Sequence, residues 1–159
     1  MLERLASDPN IDLIEQEECV RSSNDRVRVA IASNPHLEPA YQNYFANGGN
    51  VFVIMALTRN KGIRRDCLER IANWSKDTIN LLAYGSSPYW SHEDHKRLIN
   101  DQERSIRAGV ALSDACTPET MATLLKDTEA EVQAVAKAAL KRKQGEEWEA
   151  LKLLYVEDV

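Results

Sequence analysis

Apolar and small residues return along this chain at a spacing of about 26 residues, the period range of stacked helical arrays. Val27, Val53, Ile79, Ile106 and Val132 occupy one register, and Ala30, Ala56, Leu82, Gly109 and Val135 follow three residues behind. Cys19, Phe45, Ile71, Leu98 and Leu124 form a second row, each followed directly by Val20, Ala46, Ala72, Ile99 and Leu125. One supersecondary unit used repeatedly accounts for both rows. Each unit reads as a helix, a break, a second helix and a second break.

The punctuation supports that reading. Asp25 offers an N-cap to a helix carrying Val27, Ala30 and Ile31, and Asn34-Pro35 ends it because the residue before proline is pushed out of the helical region. A segment from Glu38 to Phe45 follows, stopped by Asn47-Gly48-Gly49-Asn50. The next unit spans Val53–Thr58, a turn at Asn60-Lys61-Gly62, and a helix near Ile63–Ala72. The third opens at Ser75 or Asp77, breaks at Gly85-Ser86-Ser87-Pro88, and restarts at Ser91-His92-Glu93-Asp94, a capping-box variant. A helix near Glu103–Leu112 comes next, then Thr117-Pro118-Glu119 supplies an N-cap, an N1 proline and an early acid. The last repeat begins near Thr128 and runs to Lys143, before a final amphipathic helix with Trp148, Leu151 and Tyr155 on one side. The expected fold is therefore all-α: a short right-handed α-solenoid of about five two-helix repeats with a C-terminal capping helix. Residues 1–144 form the repeat domain and 145–159 the capping or docking helix. Ala6-Ser7-Asp8-Pro9-Asn10-Ile11 matches Ala32-Ser33-Asn34-Pro35-His36-Leu37, so Met1 falls inside a first helix. Either the opening helix is truncated by design or the chain is part of a longer array, and an uncapped solenoid end invites self-association.

Asp25-Arg26-Val27-Arg28-Val29-Ala30-Ile31-Ala32-Ser33-Asn34-Pro35 resembles the leucine-rich repeat variant family of HEAT-like helical solenoids. That family shows an acid, a Val-Arg pair, an alanine-rich helix and an Asn-Pro break. Ile106-Arg107 keeps the Val-Arg element and Val132-Gln133 half of it, whereas Val53-Ile54 and Ile79-Asn80 lack the arginine. The resemblance runs from about residue 5 to residue 140. It implies that Asp25, Arg28 and Arg107 bridge neighbouring repeats. Some family members carry a cysteine-bound iron–sulfur cluster ahead of the repeats, but no cysteine cluster is present in this sequence and no cofactor is carried over.

Composition narrows function without naming it. A chain of 159 residues suits one domain, and no apolar run approaches the ~20 residues of a membrane span. No basic start precedes an apolar stretch at the N-terminus, so no secretory signal is expected. Cys19, Cys67 and Cys116 lie far apart, as reduced, buried thiols of a cytoplasmic protein would. The net charge of −5 disfavours nucleic acid and favours a basic protein partner.

The candidate contact surface is the stretch Tyr84, Tyr89, Trp90 and His92. The interval Ile79–Ile106 is one residue longer than its counterparts, which predicts an insertion between Ala83 and Leu98, and three aromatics gather there. Core packing of Tyr89 and Trp90 is the competing reading. His92 and His95 stand three apart, close enough for one metal ion, but no further ligand is spaced to join them, so no metal is expected. Arg64 and Arg65, with Arg59, Lys61 and Arg70, form the main basic patch, against Asp66 and Glu69. Intrahelical pairing is its plain reading; the alternative is partner binding through Arg64 and Arg65, to a phosphate backbone or an acidic protein. Two functions follow. The first is a non-enzymatic protein-binding module, an adaptor, scaffold or inhibitor. The second is a HEAT-like DNA-binding protein or alkylpurine DNA glycosylase with Arg59, Arg64, Arg65 and Arg104 on one concave face.

Overall fold

The computed structural model describes residues 1–156 and is all-helical, with no strand among them. The chain divides into two compact units, Met1–Tyr84 and Gly85–Val159. The first unit contains α1 (Leu2–Ala6), α2 (Leu13–Val20), α3 (Asp25–Ala32), α4 (Pro39–Ala46), α5 (Val51–Thr58) and α6 (Arg65–Trp74), and α7 (Thr78–Gly85) runs to its end. The second contains α8 (His92–Leu98), α9 (Arg104–Leu112), α10 (Pro118–Leu124), α11 (Ala130–Arg142), a 3₁₀ turn at Glu146–Trp148 and α12 (Glu149–Tyr155). The closing helix expected from Glu146 onward is thus a 3₁₀ turn followed by α12, and the end of the 145–159 segment lies outside the described residues.

Helices this short are marginal alone, so caps and packing hold them. The Asp12 carboxylate accepts from Glu15 N–H at 2.9 Å and Glu15 reaches back to Asp12 N–H at 3.0 Å, closing a capping box on α2. Asn24 caps α3, one residue earlier than the expected Asp25, and Asn50 caps α5. Ser91 and Asp94 close the capping box foreseen for α8, and Thr117 with Pro118 opens α10 as its sequence indicates.

One turn recurs along both units. The side-chain oxygens of Asp8, Asn34, Asn60, Ser87 and Ser113 accept from the N–H two residues on, at 2.8, 2.9, 2.7, 3.2 and 3.2 Å. Their carbonyls accept from the N–H of Ile11, Leu37, Ile63, Trp90 and Cys116, all of which are buried. The turn therefore points one apolar side chain inward each time.

In the first unit, α3 packs on α1, α2 and α5, while α4 packs on α5 and α6. Buried amides tie successive turns together. Asn34 Nδ2 donates to the carbonyls of Ala6 and Asp8, and Asn60 Nδ2 repeats this onto Ala32 and Asn34. Gln16 and Gln42 do the same from α2 and α4: Gln42 Nε2 donates to Leu37 O and Gly62 O, while its Oε1 accepts from Arg64 N–H. Gly62 is required where it stands, because a Cβ would lie 2.1 Å from Pro35 O.

In the second unit, α9 packs on α8, α10 and α11, and α12 packs on α11. Trp148 is buried with the Lys143 ammonium 5.1 Å from its ring centre. Arg107 on α9 holds Asp127 with two bonds and also donates to Asp101 O at 2.7 Å. Arg28 makes the corresponding bond to Ser22 O in the first unit and pairs with Asp25, which also accepts from Asn50.

The register of the third repeat predicted from the sequence differs from expectation. Ile79 is 48% exposed, and Asn80 takes the inward position that Val53 and Ile106 hold. Ile71 to Asn80 is one residue longer than Phe45 to Val53 or Leu98 to Ile106, so the extra residue lies ahead of Asn80. It belongs to the stretch around Trp74 and Ser75, where α6 runs longer than α2 or α4 and Trp74 Nε1 donates to Ala46 O. The Ser87–Trp90 turn is an ordinary copy with no insertion.

Candidate interaction surface

The aromatic stretch is mostly core. Trp90 is 2% exposed because it fills the inward position of its turn, as Leu37 and Ile63 do in theirs. Tyr84 is buried on α7, in the row of Ile31 and Leu57. Tyr89 is 40% exposed and lies edge-on to Trp90, with the Arg97 guanidinium 5.5 Å from the Trp90 ring centre. Tyr84 and Trp90 are thus packed inward rather than presented as contact residues, whereas Tyr89 is exposed and His92 part-exposed. Aromatic composition marked the stretch, but the turn register sends its largest side chain inward.

Two members of the basic patch, Arg64 and Arg65, are neutralised locally. Arg64 Nε and Nη2 donate to Asp66 at 3.0 and 3.3 Å, and Arg65 Nε donates to Glu69 at 3.0 Å. Arg104 pairs with Glu131 at 3.0 Å. Asp66 is held below the usual carboxylate range, first by its hydrogen bond from Arg64. These side chains are exposed, and such pairs hold little energy but satisfy their charges.

His95 is fully buried, and neither ring nitrogen has a hydrogen-bond partner; His92 Nδ1 is unpaired as well. No group of three or more metal-ligating residues gathers among the described residues. The row explains His95: Gln16, Gln42, Leu68 and Met121 are its equivalents, all buried. Burial and the neighbouring His92 lower its pKa from 6.5, against an opposing effect of Asp94. The unfolded chain then binds the proton more readily, so this stability is fully present above about pH 6.5 and declines as pH falls through the folded value. His95→Gln restores the amide that α2 and α4 use. It is expected to reduce the loss of stability between about pH 7 and pH 5, read as urea midpoints, by up to about 1.4 kcal/mol per pH unit. An unchanged pH slope would remove His95 as its source.

The open surface lies elsewhere. α3 and α5 present matching stripes, Arg26/Val29/Ala30/Ser33 and Phe52/Met55/Ala56/Arg59, along a groove of about 760 Å³. The spacing i, i+3, i+4, i+7 is one helix face. Alanines at positions 30 and 56 leave the floor low, and Phe52, 63% exposed, stands as its wall. Arg26 and Arg59 are exposed at its edges and enter no ion pair among the described residues, with Glu3 from α1 nearby. A second hollow beside Tyr44 and Gly48 is half polar, and its Arg28 is already engaged by Asp25 and Ser22 O.

The sequence did hold a signal for the groove. Val51–Leu57 is an unbroken apolar run filling almost all of α5. A helix apolar all round must be covered on both sides or leave one face bare. Here Val53, Ile54 and Leu57 go inward and Phe52 remains outside.

No helix among the described residues is long and apolar enough to cross a membrane. Comparison with protein-family models, curated proteins and solved structures finds no match.

Proposed function

We propose that this chain is a non-enzymatic protein-binding module, an adaptor, scaffold or inhibitor, built as a short right-handed α-solenoid of the leucine-rich repeat variant or HEAT-like kind. The recurring turn and the Asn34/Asn60 and Gln16/Gln42 bridges support the repeat reading. The groove between α3 and α5 carries the binding reading: two matching helical stripes with an exposed phenylalanine suit an apolar helix face. Arg26 and Arg59 enter no ion pair among the described residues and outnumber the one unpaired acid, Glu3, since Asp25 is held by Arg28, so at this surface an acidic partner fits better than the basic one suggested by total charge. The DNA-binding alternative has less behind it, because Arg64 and Arg65 spend their charge on Asp66 and Glu69.

Photo-crosslinking tests this directly. With benzoylphenylalanine replacing Phe52, a discrete protein adduct is expected in lysate of the source cells. The same group at the exposed Lys61, outside the groove, should give none. Nucleic-acid adducts at position 52, or no adduct there, would count against the proposal.

A further inference from the structure

α12 leaves one face uncovered. Leu153 and Leu154 are 80% and 73% exposed, Ala150 and Glu149 lie one turn before them, and Glu146 and Glu147 precede those. Its other side packs on α11. Bare leucines on a helix bordered by acids are the chemical counterpart of the α3–α5 groove, whose walls are apolar and whose two arginines unpaired among the described residues outnumber its one unpaired acid, Glu3. The dimensions agree. α3 and α5 have eight residues each and α12 has seven, or about 12 Å and 10 Å of helix.

We propose that α12 of a second copy of this chain docks in the α3–α5 groove, its Leu153/Leu154 face against Phe52 and Met55 and its acids toward Arg26 and Arg59. The proposal rests on reading the groove as a protein-docking surface. The low floor at Ala30 and Ala56 admits the leucines, and the flanking guanidiniums favour Glu146, Glu147 or Glu149 over a neutral helix end. Each chain offers one groove and one α12, so the contact is heterologous and grows into a ring or an open chain. Two helical turns make a small interface, which belongs to the weak, reversible class.

Sedimentation of the full chain from about 10 µM to about 1 mM should show concentration-dependent assembly beyond the monomer. Phe52→Glu in the groove, and separately Leu153→Glu with Leu154→Glu on α12, should each leave a monomer throughout, a weakening of about 100-fold or more. All three side chains are exposed, and unchanged helical circular dichroism will confirm that the variants fold. Mixed, the two variants retain one intact groove and one intact α12 between them. A 1:1 complex that grows no further is the expected result. A wild type that stays monomeric, variants that still assemble alone, or a mixture that fails to pair would each overturn the proposal. If the wild type is monomeric while position 52 crosslinks to a different protein, the second-copy assignment fails and the binding reading stands. If neither assembly nor an adduct is seen, both fail.

Discussion

Asn60→Ala lowers the unfolding free energy by roughly 3–5 kcal/mol, read as a shift in the urea midpoint at constant slope. The magnitude follows from what the amide holds. Asn60 is 4% exposed, donates to Ala32 O at 2.7 Å and Asn34 O at 2.8 Å, and accepts from Gly62 N–H at 2.7 Å. Alanine removes all three bonds and leaves buried backbone groups unpaired, each at about 1–3 kcal/mol less whatever water recovers. Asn60→Asp provides the control. It keeps the acceptor for Gly62 N–H but turns a carboxylate toward two carbonyl oxygens, so it should be at least as damaging at neutral pH. If aspartate were tolerated while alanine was not, the bonds to Ala32 and Asn34 would not be the ones that matter.

Arg107→Ala should destabilise the second unit by about 3–5 kcal/mol, because it strands a nearly buried carboxylate. The Arg107 and Asp127 side chains are 11% and 8% exposed and meet through two bonds of 2.7 and 3.0 Å. Arg107 also closes the loop before α9 through Asp101 O and Gln102 O. Arg107→Lys should recover little, since an ammonium cannot hold both carboxylate oxygens and the loop carbonyls together. The hydrogen bond from Arg107 is the first cause of the depressed Asp127 pKa, which lies below its ordinary 3.8. The stability tied to that ionisation is fully present above about pH 3.8 and is lost as pH falls through the folded value. Unfolding of the wild type by acid should therefore be steeper than that of Arg107→Ala. Parallel acid transitions would show that the pair contributes nothing in this range.

Local chemistry was legible wherever it depended on neighbours in the chain. Ser91 with Asp94, and Thr117 with Pro118, do what their sequence says, because a cap is decided by a few adjacent residues. Pairing of Arg64 and Arg65 with Asp66 and Glu69 was equally local. The candidate site was not, for two reasons. Apolar content alone placed Ile79 in the core row, yet the chain buries Asn80 there and bonds its amide to Ser75 Oγ. The extra residue consequently lies ahead of Asn80 and not between Ala83 and Leu98, where the turn carries Trp90 inward. Likewise, the run Val51–Leu57 predicts a helix but does not say which of its faces the neighbouring layer will cover.

The sequence by itself determined that this chain is helical, where most of its helices start, and that one turn recurs, since periodicity, capping and proline act over a few residues. Only the tertiary structure decided which way Trp90, Asn80 and Phe52 point, because burial is a property of packed layers and not of residue type. It also showed the use of the buried amides. Asn34, Asn60, Gln16 and Gln42 read as ordinary polar residues until the backbone carbonyls they satisfy are brought beside them.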